Sequence, residues 1–314
     1  MSPPPDLRVS LGRLQLQNPV LVASGTFGFG EEYAALLDVD ALGGICTKGI
    51  SLQSREGNRA PRTVETPAGM LNAIGLQNPG LEAFLRDKLP WLSKRRCAVI
   101  VNIYGSSLDE YAELAARLDG VEAVTALEVN ISCPNVSRGG MAFGADPAMA
   151  REVAQAVRDR TRKPVLVKLS PNVTDIVAVA RAVAEAGVDG LTLINTLLGM
   201  AIDPRSGRFL LGNRTGGLSG PAIRPVAIRM VYQVSQAVPI PIVGSGGIVR
   251  WQDAVEFLRA GASAVQVGSA TFRNPTAALD VLHGLNDFLV EVGAASYRDL
   301  VGAVREAEGR GTCA

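Results

Sequence analysis

Histidine is nearly missing from this sequence: His283 is the only one among 314 residues, and it falls in a C-terminal helical pattern. Triads that need a histidine base, and metal sites built from several imidazoles, are thereby excluded. Cysteine is scarce and scattered. Cys46, Cys97, Cys133 and Cys313 form no C-x-x-C pair, which argues against a zinc or iron–sulfur site within the chain. Two of the four lie in or beside apolar strand-like runs, where reduced thiols of a cytoplasmic protein sit. No apolar run approaches the ~20 residues of a membrane helix. The opening M-S-P-P-P-D-L-R also lacks the basic and apolar regions of a signal peptide. A net charge of +1 provides no field to draw the chain to nucleic acid or an anionic membrane. The expectation is a cytoplasmic protein with no metal, no nucleic acid and no membrane to bind.

What remains is apolar and rich in glycine: 47% hydrophobic residues and 34 glycines, enough for a large core. Residues 7–18 alternate with period two across a central glycine and read as a short β-hairpin, a flap or plug outside the main repeat. After it one pattern recurs. Val/Ile/Leu-rich runs at 19–24, 44–49, 98–104, 126–132, 164–170, 190–195, 241–244 and 264–268 read as strands. Helical periodicity follows them at about 31–37, 80–89, 108–118, 147–160, 174–186, 223–236, 251–259 and 275–291.

Near-continuous apolar strands alternating with helices imply a parallel sheet covered on both sides. Eight such units fit a closed (β/α)8 TIM barrel, which takes ~250 residues plus insertions. The competing open, doubly wound sheet would use S-G-T-F-G-F-G at 24–30, but no acidic residue closes a second strand to hold a ribose. The chain thus reads as a single barrel domain over 1–314, with the hairpin at its N-terminus. Three long βα connections are expected as active-site loops: 50–79, 136–144 and 196–222, with Gly139 and Gly140 as hinges of a lid.

In such a barrel the strand ends converge on one site. They read Ser24, Lys48, Asn102, Asn130 with Cys133, Lys168, and Asn195 with Thr196. The last two strands end in G-S-G-G (244–247) and G-S-A (268–270). Gly246, Gly247, Gly268 and Ser269 are phosphate candidates, because glycine lets backbone N–H groups approach an anion. Lys48 and Lys168 end apolar strands, where an idle ammonium is costly to bury. Either could form a Schiff base, or its charge could stabilise an anionic cofactor or substrate. The asparagines favour the second, since amides offer donors and acceptors to a planar ring. Cys133 is the natural acid–base group, with no histidine available and an ordinary thiol pKa of ~8.5.

K-G at 48–49, N-A-I-G-L at 72–76, E-V-N-I-S-C-P-N at 128–135, K-L-S-P-N at 168–172, I-N-T at 194–196 and G-S-G-G-I at 244–248 together resemble the cysteine-using class 1 dihydroorotate dehydrogenases. G-G-M-A-F-G-A-D-P, following the cysteine, is similar to the catalytic subunit of the NAD-linked subtype B. The resemblance implies an FMN barrel that oxidises (S)-dihydroorotate to orotate in pyrimidine biosynthesis. It implies FMN contacts with Ser24, Lys48, Gly49, Asn102, Asn130, Lys168, Ile194, Gly220, Gly246, Gly247, Gly268 and Ser269, with Lys168 near the flavin pyrimidine edge, stabilising the anion of the reduced ring. For the substrate it implies Lys48, Asn72, Ala73, Ile74, Gly75, Leu76, Asn130, Asn135, Asn195 and Thr196. Cys133 would take the C5 proton while hydride passes from C6 to flavin N5. The implied assembly is a homodimer, or a heterotetramer with a second subunit that carries FAD and a [2Fe-2S] cluster and passes electrons to NAD. Two alternatives stay open: another flavin-dependent oxidoreductase of dihydropyrimidine or dihydrouridine type, and a Schiff-base lyase using Lys168.

Overall fold

The computed structural model describes residues 3–132, 137–138 and 141–305. Its strands, in chain order, are β1 (Val9–Leu11), β2 (Leu14–Leu16), β3 (Val20–Val22), β4 (Gly44–Cys46), β5 (Thr63–Thr66), β6 (Gly69–Asn72), β7 (Ala98–Ile103) and β8 (Ala126–Asn130). Then come β9 (Ser137–Arg138), β10 (Met141–Ala142), β11 (Val165–Lys168), β12 (Gly190–Leu193), β13 (Leu197–Met200), β14 (Thr215–Ser219), β15 (Ile242–Ser245) and β16 (Ala264–Val267).

Eight of these close a barrel in the order β3-β4-β7-β8-β11-β12-β15-β16. Every pairing in the ring is parallel, and β16 meets β3 with Val265 opposite Val20. All eight expected strands are present and in the expected ring. Each keeps its apolar run because both of its faces are covered, one by barrel interior and one by helix.

The outer helices begin where short polar side chains can accept from free N–H groups. Ser107 caps Leu108–Asp119, Asp146 caps Pro147–Arg158 and Asp175 caps Ile176–Ala184. Arg224–Ser235, Trp251–Arg259 and Ala277–Glu291 complete the later units. Two expectations change. The segment at 31–37 forms only a 3-10 turn, Glu31–Tyr33, entered from Gly30 at φ 91°, which has no side chain with which to cap a helix. The helix expected at 80–89 opens as Leu81–Ala83, widens to a π turn over Phe84–Lys88 and ends as Leu89–Leu92. Pro90 has no N–H to donate to Arg86, so the ladder slips there.

The β1–β2 hairpin plugs the N-terminal face. Val9, Leu11, Leu14 and Leu16 are buried under the barrel. Arg13 locks the plug by pairing with Asp189, at the entrance to β12, at 2.7 Å. Asp189 also accepts from Arg158 and from the Val165 backbone N–H.

At the opposite end, two of the expected loops fold into a further sheet. Residues 50–79 and 196–222 contribute the strands of a four-stranded antiparallel sheet, β13-β14-β6-β5. A small apolar cluster of Leu71, Ala73 and Leu211 holds it together. The pairing of β14, T-G-G-L-S, could not be read from the sequence, because glycine-rich strands show no alternation.

Candidate active site at the barrel mouth

A TIM barrel interior is packed in layers of four side chains from alternate strands, usually branched and apolar. One layer here is polar. It consists of Cys46 on β4, Glu128 on β8, Thr192 on β12 and Gln266 on β16, all fully buried. Glu128 is its hub. Its Oε1 accepts from Cys46 Sγ at 3.1 Å and Asn102 Nδ2 at 2.8 Å. Its Oε2 accepts from Thr192 Oγ1 at 2.9 Å and Gln266 Nε2 at 2.7 Å.

The next layer toward the mouth holds Asn102 and Lys168. Lys168 Nζ lies 3.8 Å from Glu128 Oε1 and 3.5 Å from Gln266 Oε1. Burial alone would raise the Glu128 carboxyl, but Lys168 and the donors Cys46, Gln266 and Asn102 outweigh it and hold the group below its ordinary range. The Cys46 thiol moves the other way: burial first, then the Glu128 charge, push it well above the ordinary thiol value.

Above this layer the amides gather. Asn130 Oδ1 accepts from Asn195 Nδ2 at 3.3 Å, and Asn195 Oδ1 accepts from the Thr196 N–H at 2.9 Å. Tyr111 anchors the end of β8 by donating its hydroxyl to the Asn130 carbonyl at 2.7 Å. Ile194 is tied to β15 through the Ser245 carbonyl. Asn72, on β6, donates to the Gly217 carbonyl of β14, and Gly217 lies directly against Thr196. The extra sheet thereby brings Asn72 to the strand-end residues. Ala73, Ile74, Gly75 and Leu76 follow it; the Ala73 and Ile74 carbonyls accept from Asn58, and Leu76 takes a positive φ of 57°.

Lys48 stands two residues past β4, its N–H bonded to the Gly28 carbonyl. Burial pushes its ammonium below the ordinary value, and the nearby charge of Arg62 adds to that. A methyl group at Gly49 would meet Asn102 Oδ1 at 2.7 Å, so the chain passes that amide without a side chain. Ser24 is half-buried just past β3, where Gly268 packs beside Ala23.

The glycine turns come together as well. Gly247, at φ 78°, leaves only 2.7 Å between a would-be Cβ and the Gly220 carbonyl. Gly246 lies against Ile223 and Ala227 of the segment that follows Gly220. Gly268 leads into the 3-10 turn Ser269–Phe272. These are close backbone approaches of the kind that leave N–H groups open to a phosphate. The cradle, the two ammonium groups and the amides fit a phosphate-bearing planar cofactor. Cys133, Asn135, Gly139, Gly140 and Cys313 lie outside the described residues.

Four site residues escaped the sequence reading. Glu128 sits inside a quoted motif but one layer below the strand end, and Thr192 and Gln266 look like ordinary strand positions. The signal was parity: Glu128 and Asn130 share one face of β8. The fourth is Asn172, which ties the Thr196 carbonyl to the Leu198 N–H.

Fold and mouth define a (β/α)8 barrel whose strand ends bring together glycine turns, two lysines and a cluster of amides. A family model described as dihydroorotate dehydrogenase matches residues 6–289. A protein of Pelobacter propionicus named "Dihydroorotate dehydrogenase B (NAD(+)), catalytic subunit" is 57% identical over 96% of this chain and 99% of its own. One of the same name from Geotalea uraniireducens is 56% identical over 96% and 98%. The solved structure of DHODH from Eimeria tenella in complex with ferulenol superposes with a TM-score of 0.78, at 24% identity, over 95% of this chain and 88% of that one. The chain belongs to the dihydroorotate dehydrogenase family.

Proposed function

We propose that this chain is the FMN-bearing catalytic subunit of an NAD-linked dihydroorotate dehydrogenase, acting as one domain over 1–314 to oxidise (S)-dihydroorotate to orotate in pyrimidine biosynthesis. The observation that carries this reading is the end-to-end likeness to the catalytic subunits just named. The chemistry of the mouth supports it. Ser24, Lys48, Gly49, Asn102, Asn130, Lys168 and Ile194 would hold the cofactor ring, and Gly220, Gly246, Gly247, Gly268 and Ser269 its phosphate. FMN supplies the acceptor for the hydride that leaves C6 of the substrate.

The chain's own residues do the rest. Lys48 holds the substrate carboxylate, and Asn72, Asn130, Asn135, Asn195 and Thr196 orient the ring over the backbone of 73–76. Cys133 Sγ takes the proton from C5; no histidine is there to compete for that role. The Asn130–Asn195 and Asn172–Thr196 hydrogen bonds tie the strand ends together and so hold in place the side chains that would orient the ring.

Electrons leave through a second subunit carrying FAD and a [2Fe-2S] cluster. The word "subunit" in the relatives' names supports an assembly. So do Leu198, Met200, Ile202 and Phe209, exposed together at and beyond β13, because a contiguous apolar patch of this kind marks a contact surface. The same patch suits a homodimer. Cys46 and Cys97 are free buried thiols, the state a cytoplasmic chain keeps.

The test is direct. The purified chain should be yellow, and dihydroorotate, but not NADPH, should bleach it without oxygen. A colourless protein that traps substrate on Lys168 with borohydride would instead establish the lyase reading. Cys133→Ala should keep the flavin and lose about 10²–10⁴-fold in rate; an unimpaired rate would remove Cys133 from the mechanism.

A further inference from the structure

We propose that Glu128 is a positioning residue for the cofactor site: it fixes which atom Asn102 turns toward bound FMN, holds the Gln266 carbonyl oxygen on Lys168, and supplies the counter-charge that lowers the cofactor's reduction potential. The inference rests on the reading of the mouth as an FMN site.

The geometry carries the argument. A carboxylate accepts and never donates, so each neighbour of Glu128 must turn a hydrogen toward it. Asn102 does so with Nδ2, which points its Oδ1 the other way, to the mouth beside Gly49. Gln266 does so with Nε2, which leaves its Oε1 facing Lys168 Nζ. Thr192 and Cys46 complete the set with a hydroxyl and a thiol. The burial and charge that raise the Cys46 thiol keep its proton in place as a donor. Lys168 Nζ therefore donates to Gln266 Oε1 and lies 3.8 Å from Glu128 Oε1, an ion pair too long for a direct hydrogen bond, so the ammonium keeps hydrogens to offer at the mouth.

An apolar layer would have filled this space at less desolvation cost, since two buried charges are expensive to remove from water. A carboxylate at the centre of the barrel does what valine cannot. It orients two amides at once and balances the ammonium beside the ring. With Glu128 ionised, the pair beneath the cofactor is neutral overall. Without it, an unbalanced positive charge faces the ring and favours the electron-rich, reduced cofactor.

The experiment compares the midpoint potential of bound FMN at pH 7, by anaerobic dye titration, in the parent protein, Glu128→Gln and Glu128→Asp. Glu128→Gln keeps the shape and removes the charge. It should favour reduced over oxidised FMN by at least tenfold relative to the parent, about 30 mV upward for two electrons. Glu128→Asp keeps the charge and should stay within threefold of the parent. A potential that is unmoved or lowered in Glu128→Gln overturns the proposal, as does an equal shift in both variants. If Glu128→Gln retains no FMN, Glu128→Asp decides: cofactor bound at the parent potential upholds the role, and loss of cofactor there too refutes it. A parent protein that binds no FMN refutes the functional reading itself, and this proposal with it.

Discussion

Replacing Lys168 with methionine tests the polar core most severely. Methionine keeps the length and the apolar stem, while Glu128, fully buried, loses the ammonium 3.8 Å away. Breaking a buried pair from one side costs about 3–5 kcal/mol. The hydrogen bonds from Cys46, Asn102, Thr192 and Gln266 survive, and 3.8 Å exceeds a direct hydrogen bond, so the lower end applies: about 3 kcal/mol. Urea unfolding of the FMN-free protein, followed by circular dichroism, reads this as a lowered midpoint with an unchanged slope. Adding Glu128→Gln should restore at least about 1 kcal/mol, because the orphaned charge is gone. The pH dependence carries a sign as well. In the parent the Glu128 carboxyl lies below 4.5, so its contribution is complete above that pH and is lost as pH falls through the folded value. In Lys168→Met the charge that lowers it most is gone, so the folded value moves up and the pH window over which the carboxylate stabilises the fold narrows. A loss under about 1 kcal/mol, or no rescue by the second change, would refute the coupling.

Other perturbations are equally definite. Asp189→Asn should cost about 2–3 kcal/mol by freeing the plug from Arg13 and Arg158, less than a wholly buried pair because Arg13 is half exposed. Burial raises the Asp189 carboxyl, but Arg13 and the backbone donors hold it below 3.8, so the parent's advantage should fade as pH drops below that value; an undiminished advantage in acid would contradict it. Gly247→Ala sets a Cβ at φ 78° and 2.7 Å from the Gly220 carbonyl, a strain of about 1–3 kcal/mol that should lower the urea midpoint, and an unchanged midpoint would contradict it. Cys97, pushed up to about 12 by burial and the Asp40 charge, should escape iodoacetamide at pH 8 in the folded protein, and its alkylation seen by mass spectrometry would show that its burial is misjudged.

The barrel was legible because each strand is buried on both faces, which leaves a run of apolar residues such as A-V-I-V-N-I that needs no partner to be recognised. The strand-end groups were legible for the same reason: Lys168 and Asn130 interrupt such runs where nothing apolar would. The extra sheet was not, since β14 owes its place to pairing with Leu71 and Met70 of β6, far away in the chain, and not to any pattern of its own.

Sequence alone thus determined the eightfold repeat, the glycine turns and the polar strand ends, all of which are local consequences of burial and backbone freedom. Tertiary structure decided which of these meet. Glu128 is one carboxylate among 30 acidic residues until β4, β7, β11, β12 and β16 close around it, and then it holds a thiol, two amides, a hydroxyl and an ammonium. Sequence spacing carries no record of that convergence, because the distances are set by closing the ring.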